Sequence, residues 1–312
     1  MRRNVTRTLL AAAAAGVTVT TLSFSAGAAG AASTANAPQA GSTIVNSPSG
    51  GTPIYTDANC PLLNIGGPDA NAPALSDAPA APQPSCITSG YQASGRDFRF
   101  AQALIVVPTS RGLISTSPSF YVGLSASATE YARAGIVPCG VNIVTCPNGW
   151  RGLFQVEEPG APPITQIMNF SAAVPAGSGV LVSIYFNQAG NAVRFSVTLP
   201  DGSIVGKTFG VHGPVYTSAV AAADWTLTRT RPQPARPVAN TRWTQFLQGR
   251  FTTLSGQAGT FAGPWTLNPV EVSSNGLAPP DGTLISAPSY LWTDGNSVNG
   301  LPGDAFGVWL YN

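Results

Sequence analysis

Hydrophobic and polar positions alternate along much of the chain from about residue 87 onward. The clearest segments are FAQALIVVP, SFYVGL, GLFQVEE, GVLVSIYF, AVRFSVTL, ADWTLTRT, GRFTTL and FGVWLY, each bounded by Gly, Pro, Asn or Asp. A period of two residues is typical of strands with one buried face, and no helical pattern separates these segments. We therefore predict an all-β fold, an antiparallel β-sandwich of two sheets.

Turn signals and composition agree with this prediction. The stretch LPDGSIVGKTF carries Pro-Asp-Gly between two alternating runs, which predicts a hairpin. The 312 residues include 34 glycines and 28 prolines, and only 9% are charged. Such a composition disfavours long helices and leaves few surface ion pairs to stabilise the fold.

The beginning of the chain resembles a leader followed by a linker. Residues 1–32 have a basic start, an apolar middle and small residues suited to cleavage, as in a secretory signal peptide. A membrane anchor is the alternative, but several Thr and Ser dilute the apolar run. Residues 33–86 are rich in Ala and Pro and suit a linker or propeptide, and residues 87–312 form the predicted sandwich. We expect a secreted, extracellular protein with no membrane partner after signal removal.

The charge balance argues against nucleic acid as a partner. The chain has 15 basic and 13 acidic residues, and Arg2, Arg3 and Arg7 leave with the signal, so 12 basic residues face 13 acids. Phosphate binding requires a concentrated basic surface, which this near-neutral chain lacks. Five arginines do gather between Arg229 and Arg250, but prolines interrupt them, which favours a solvated loop over an anion site.

Four cysteines in an exported chain predict two disulfides. Cys139 and Cys146 are spaced for a bridge across a hairpin, which leaves Cys60 to pair with Cys86. The thiols lack CxxC spacing and the chain has a single histidine, His212, so we expect no metal site and no cofactor.

Two adjacent carboxylates end one of the alternating runs, in LFQVEEPGAPPI. Strand parity places Glu157 on one face with Gln155, and Glu158 on the opposite face. The local pattern alone favours a solvated strand end for both carboxylates.

The order and punctuation of the strands resemble the glutamic peptidases, also called eqolisins. Four stretches carry the likeness: SGYQASGRDFRFAQALIVVP, FYVGLSAS, LFQVEEPGAPPI and ADWTLTRTRP. Together they span roughly residues 87–312. The resemblance implies a concanavalin-like sandwich with a substrate groove on its concave face. It also implies an acid endopeptidase that uses a glutamate as general base and a glutamine amide as oxyanion donor.

The resemblance places individual residues in the expected groove. Glu157 corresponds to the catalytic glutamate, and Arg133 stands where the family has its glutamine. Ser125 replaces an aspartate and Tyr121 a tryptophan. An arginine beside Glu157 would hold the carboxylate ionised, so we expect a Glu157–Arg133 pair and little or no peptidase activity. Gln155 could substitute as the amide, and so could Gln102.

A binding protein is the main alternative. The ligand would be a polypeptide or a carbohydrate, with Tyr121, Trp225 and other aromatic residues, Trp150 and Trp243, as stacking surfaces unless they pack in the core. A serine hydrolase would need His212 with Asp201 or Asp224, and no nucleophile elbow accompanies them. A glycosidase could draw on Glu130, Glu157 and Asp224, which no spacing singles out. We expect a monomer.

Overall fold

A computed structural model gives the fold of the protein. It describes residues 86–108, 119–127, 130–138, 149–226, 243–273, 284–294 and 303–310, together with two short strands nearer the start of the chain. The predicted signal peptide lies outside the described residues. So do Cys60, Cys139 and Cys146 and the side chains of Cys86 and Trp225, so the two disulfides stay predictions.

The described residues form 18 strands and no helix, and therefore no helix that could cross a membrane. In chain order the strands are β1 Ile44–Val45, β2 Ile54–Thr56, β3 Cys86–Ser94, β4 Phe98–Val106, β5 Ser119–Ser127, β6 Glu130–Pro138, β7 Trp150–Glu157, β8 Ile164–Asn169, β9 Gly179–Asn187, β10 Ala192–Thr198, β11 Ile204–Gly210, β12 Ser218–Thr226, β13 Trp243–Thr253, β14 Ala258–Gly259, β15 Thr266–Ser273, β16 Leu284–Pro288, β17 Leu291–Trp292 and β18 Phe306–Leu310.

Most strands join one hydrogen-bonded path that runs β11-β10-β9-β4-β13-β18-β16-β15-β3-β12-β5-β6-β7-β8. The path folds over so that its two ends pack face to face, with β4 against β5 and β12, β9 against β5 and β6, and β10 against β6. We call β3, β12, β5, β6, β7 and β8 the front layer, and β11, β10, β9, β4 and β13 the back layer. Strands β18, β16 and β15 join the two layers along one side.

The core lies between the layers and is built from the alternate positions that the sequence pattern marks as apolar. Phe154 of β7 stacks on Phe195 of β10 with ring centroids 5.6 Å apart, which ties front to back. At the joining side Phe246 stacks on Phe306 at 4.8 Å. Parallel aromatic contacts of this kind bury large apolar surfaces and stabilise the sandwich.

The predicted fold class is confirmed: the chain is an all-β, concanavalin-like antiparallel sandwich. All eight alternating segments fall on strands, although the last residues of ADWTLTRT lie outside the described residues. The Pro-Asp-Gly hairpin joins β10 to β11, with Gly202 at a φ of 84° and the Asp201 carboxylate accepting from the Ser203 backbone N at 2.9 Å. One difference is that the two predicted sheets are continuous through β18, β16 and β15.

Two short strands lie within the predicted linker and pair with the sandwich. β1 pairs with β17, and β2 pairs in parallel with β15, with Ile54 opposite Val270. At least these residues of the leading segment are therefore associated with the sandwich. The domain boundaries at residues 32 and 86 stay predictions.

Candidate functional site

Odd-numbered positions of β5, β6 and β7 point away from the core, onto the outward face of the front layer. The strand register aligns these positions in rows across the layer. One row holds Val220, Gly123, Arg133, Gln155 and Thr165. We call this surface the front face, and it corresponds to the face on which the glutamic-peptidase resemblance places a groove.

Arg133 and Asp224 form a buried ion pair on the front face. The Arg133 Nη1 donates to Asp224 Oδ2 at 2.6 Å, with side-chain exposures of 3% and 9%. Asp224 lies on β12 opposite Thr88 of β3, and its Oδ1 accepts from the hydroxyls of Thr88 at 2.5 Å and Tyr121 at 3.2 Å. Both carboxylate oxygens of Asp224 are therefore hydrogen-bonded.

The Arg133 side chain crosses the Tyr121 ring to reach this carboxylate. Its guanidinium carbon lies 4.9 Å from the ring centroid, which is cation–π distance. The side chain must cross the ring because the register aligns Arg133 with Gly123 of β5, whereas Asp224 is aligned with Ser119, at the start of the same strand. The aromatic ring thus fixes the direction of the guanidinium as well as contacting it.

Gln155 extends the polar cluster toward the edge of the layer. It stands directly opposite Arg133 and accepts a hydrogen bond from Arg133 Nε through its amide oxygen. Its amide nitrogen donates to the Thr165 hydroxyl on β8 at 2.9 Å. Both ends of the Gln155 amide are therefore engaged within the protein. We call Arg133, Asp224, Gln155, Tyr121, Thr88 and Thr165 the polar cluster.

A glycine beside the cluster leaves space for it. A Cβ at Gly123 would lie 2.9 Å from Val220 Cγ1, 3.2 Å from the Ala132 carbonyl oxygen and 3.5 Å from Arg133 Cβ. The first two contacts are too short to occur without displacement of Val220 or the Ala132 carbonyl, whereas the third is an ordinary contact. The missing side chain at Gly123 thus allows Val220 and Ala132 to pack closely beside Arg133.

Burial controls the electrostatics of the cluster. It raises the pKa of the Asp224 carboxyl above its ordinary value, and the Arg133 charge and the hydrogen bonds from Thr88, Arg133 and Tyr121 limit the rise. Burial also raises the pKa of the Tyr121 hydroxyl well above its ordinary value, and the Asp224 charge raises it further. Tyr121 is therefore a neutral donor at every physiological pH.

Glu157 lies outside this cluster. It is the last residue of β7, is half-buried, and stands opposite Tyr131, one row beyond the pair of Arg133 and Gln155. Among the described residues its carboxylate makes no hydrogen bond or ion pair. The expected Glu157–Arg133 pair is wrong. The Arg133 side chain instead crosses β5 to the buried carboxylate of Asp224, which Thr88 and Tyr121 hold.

Glu158 points to the opposite face, as parity predicts, and contacts His212. One carboxylate oxygen accepts from the His212 backbone N at 2.6 Å, and the other lies 2.9 Å from His212 Nδ1. The His212 side chain is 91% exposed. Burial raises the pKa of the nearby Tyr216 hydroxyl, and the charges of Glu158 and Glu130 raise it further. His212 thus pairs with neither Asp201 nor Asp224, as a serine hydrolase would require.

The other predicted groove residues are closed to solvent or lie elsewhere. Tyr121 is 0% exposed and Ser125 7%, and the Ser125 hydroxyl donates to the Ser127 carbonyl oxygen. Tyr121 also belongs to a second buried apolar cluster on this face, with Tyr131, Val220, Ala222 and Val270. In this conformation neither side chain offers a surface to a ligand. Gln102 lies on β4 in the back layer, between core residues Ala101 and Ala103.

Sequence analysis missed how Thr88 and Asp224 act together. Sequence analysis named Asp224 only for serine-hydrolase or glycosidase chemistry. Its position in ADWTLTRTRP, a stretch that carries part of the resemblance, was a signal that could have identified it as a site residue. Nothing in the sequence singles out Thr88, which depends on the register between β3 and β12. Within the described ranges no group of three or more His, Cys, Asp and Glu could hold a metal ion.

Comparisons with known proteins match structures but not sequences. No family model and no curated protein matches the chain. Scytalidoglutamic peptidase with a peptide-based transition-state analogue, and SCP-B, an eqolisin-family peptidase with the tripeptide Ala-Ile-His, each match at 13% identity and a TM-score of 0.45. Each match covers 73% of this chain and 100% of the other. A Bacteroides ovatus glycoside hydrolase of family 16 matches at 11% identity and a TM-score of 0.32, covering 48% of this chain and 70% of that chain. These similarities concern the arrangement of strands and carry no information on chemistry.

Proposed function

We propose that this chain is a secreted, glutamic-peptidase-like protein that binds a polypeptide without hydrolysing it. The observation that supports the proposal is the ion pair of Arg133 with Asp224 and the engagement of Gln155 at both ends of its amide. The chemistry implied by the resemblance needs a carboxyl that shares protons in acid and an amide that can turn toward an oxyanion.

The polar cluster does not meet the second requirement. The Gln155 amide nitrogen donates to Thr165, so turning it toward a substrate would break that bond and the bond from Arg133. Arg133 is 2% exposed and its charge is neutralised by Asp224. Buried ion pairs of this kind are held firmly, because removing either partner leaves an uncompensated charge. Among the described residues, no side chain is found donating a hydrogen bond to the Glu157 carboxylate.

The test compares binding with cleavage in one sample. Immobilised protein is incubated with acid-denatured serum albumin between about pH 2 and 5, the range around the reference glutamate pKa of about 4.3. Mass spectrometry of the bound and unbound fractions then measures polypeptide length. We expect intact albumin to be retained. Albumin fragments accumulating with time would contradict the proposal, and so would failure to retain albumin at every pH.

One feature of the fold supports carbohydrate as a second candidate ligand. Trp243 and Trp309 are cross-strand neighbours on β13 and β18, with ring centroids 5.4 Å apart, and Trp309 is 39% exposed. A Cβ at Gly307 would lie 3.4 Å from Trp243 Nε1 and 3.5 Å from Trp309 Nε1, so both indole N–H groups border one gap. Trp243 Nε1 is buried and has no hydrogen-bond partner among the described residues. The exposed ring of Trp309 is suited to stacking on a sugar ring.

Intrinsic tryptophan fluorescence tests this candidate with a panel of neutral oligosaccharides. If a sugar stacks on Trp309, its titration signal disappears in Trp309→Ala. The matched control is Tyr185→Ala, since Tyr185 is 42% exposed on β9 and takes no part in the indole pair. Equal loss in both variants, or no titration in the wild type, would remove carbohydrate from consideration at this position.

A further inference from the structure

The strand path ends at two edges, and the two edges differ in their protection. Among the described strands, β8 pairs only with β7, and β11 pairs only with β10. Exposed edge strands invite pairing with another chain, and proteins commonly block them with charges that point inward. On β11, Lys207 stands opposite Phe195, a core residue, so its charge occupies the inward side of that edge.

β8 has no such protection. Residues 159–170, PGAPPITQIMNF, contain no charged side chain, and the register between β7 and β8 is regular from Arg151–Asn169 to Val156–Ile164. Ile164 is 43% exposed, one of the most exposed large hydrophobic residues described. Gln155 of β7 also donates to the Thr165 hydroxyl of β8. β8 is therefore a regular, uncharged edge that begins directly after Pro162 and Pro163.

We propose that two copies of the chain pair through β8 in antiparallel register, with Gln166 of one copy opposite Gln166 of the other. This register keeps both front faces on the same side, because directly opposed residues of an antiparallel pair share a face. It places Ile164 opposite Met168 and Thr165 opposite Ile167. The pairing replaces the monomer expected from the sequence and does not depend on what the protein binds.

Charge complementarity selects the second copy as the occupant and sets the register. Arg151 lies in the row of Asn169, at one end of β8, and Glu157 lies just beyond the row of Ile164, at the other end. Both have the parity of the front face. In the proposed register Arg151 of each copy shares a row with Glu157 of the other. Three strand spacings, about 14 Å, separate these residues, and both side chains are long enough to narrow that gap.

Arg151 Nε and the Glu157 carboxylate have no other partners among the described residues, which is consistent with the pairing. Arg151 Nε is buried without a hydrogen-bond partner among the described residues, and Glu157 makes no ion pair there. A shift of the register by two residues would place Arg151 in the row of Gln155 of the other copy and lose the opposed charges. The interface is small, so we expect reversible association that depends on protein concentration.

Sedimentation velocity over a concentration series of the secreted protein tests the pairing, with two matched variants. Ile164→Lys adds a charge to the β8 edge, and Ile204→Lys adds the same charge to β11, where Ile204 is 67% exposed. Ile164→Lys should raise the dissociation constant of the dimer about tenfold or more, since it places a charge opposite Met168 of the other copy and charged side chains on an edge strand oppose pairing. Ile204→Lys should leave it unchanged. A wild type that is monomeric at all concentrations would overturn the proposal, as would dimers that only Ile204→Lys disrupts.

A charge swap tests the register separately. Arg151→Glu and Glu157→Arg should each weaken the dimer, and the double variant should restore it, because the opposed charges are exchanged. Amide hydrogen exchange on the wild-type protein adds a measurement that does not depend on the folding of any variant. Backbone amides of β8 should gain protection as concentration rises, whereas those of β11 should not. Equal protection at both edges, or a double variant no better than the singles, would contradict the assignment.

Discussion

Arg133 reaches Asp224 across the ring of Tyr121, with 2.6 Å between Nη1 and Oδ2 and almost no solvent access to either side chain. This pair engages the arginine that the sequence resemblance aligns with the glutamine of glutamic peptidases. The front face is consequently organised around a structural ion pair, and the candidate base, Glu157, is left one row away.

Breaking the pair on one side should strongly destabilise the fold. Arg133→Met leaves Asp224 buried without a cation, and we expect a loss of about 3–5 kcal/mol in the free energy of unfolding. Urea denaturation of Arg133→Met, Asp224→Asn and the double variant measures the coupling. The double variant should lose clearly less than the sum of the singles. Additive losses would show that the two side chains contribute independently.

Much of the fold follows from local pattern, because alternation with a period of two identifies strands wherever one face is buried. One strand that the pattern did not mark is β6, EYARAGIVP, which is buried on both faces. Burial on both faces produces no apolar-polar alternation, so pattern analysis has no signal there.

The site was predictable only in part, for a different physical reason. Parity correctly separated Glu157 from Glu158, since it depends on neighbouring residues of one strand. The partner of Arg133 depends on how β12, β5 and β6 are aligned, and on the Tyr121 ring that directs the guanidinium. Such alignment is a property of distant segments, so local sequence could not identify Asp224 as the partner.

The stability of the protein should depend on pH through Asp224. Burial raises its folded-state pKa, so its stabilising contribution is complete below the unfolded value of about 3.9 and is lost as pH rises through the folded value. We expect the melting temperature to fall from pH 4 toward neutrality more steeply in the wild type than in Arg133→Met/Asp224→Asn. Parallel profiles would show that Asp224 titrates normally.

Adding a methyl group at Gly123 should disturb the cluster. Gly123→Ala forces Val220 or the Ala132 carbonyl to move, and we expect a loss of about 1–3 kcal/mol, as for other overpacked positions. Gly210→Ala is the matched control, because a Cβ at that strand position meets nothing within 4 Å. Thermal and urea unfolding of both variants measure the loss in the free energy of unfolding. Equal, small losses would mean that Gly123 is not needed for space.

Export and disulfide formation can be checked on secreted material. We expect a mature chain that begins between about residues 29 and 37, with Cys139 joined to Cys146 and Cys60 to Cys86. Peptide mapping under non-reducing conditions measures both. Free thiols, or a bond between Cys60 and Cys139, would contradict the predicted pairing.

The central proposal is that the front face does not support glutamic-peptidase chemistry, and an acid cleavage assay tests it most directly. Denatured protein is incubated between about pH 2 and 5 with wild type, Glu157→Gln and Glu158→Gln, the last two being neighbouring carboxylates of opposite parity. The account predicts no cleavage by any of the three, because the Gln155 amide is engaged at both ends and the Arg133 guanidinium is hydrogen-bonded to Asp224, away from Glu157. Wild-type cleavage that is abolished in Glu157→Gln and retained in Glu158→Gln would contradict it.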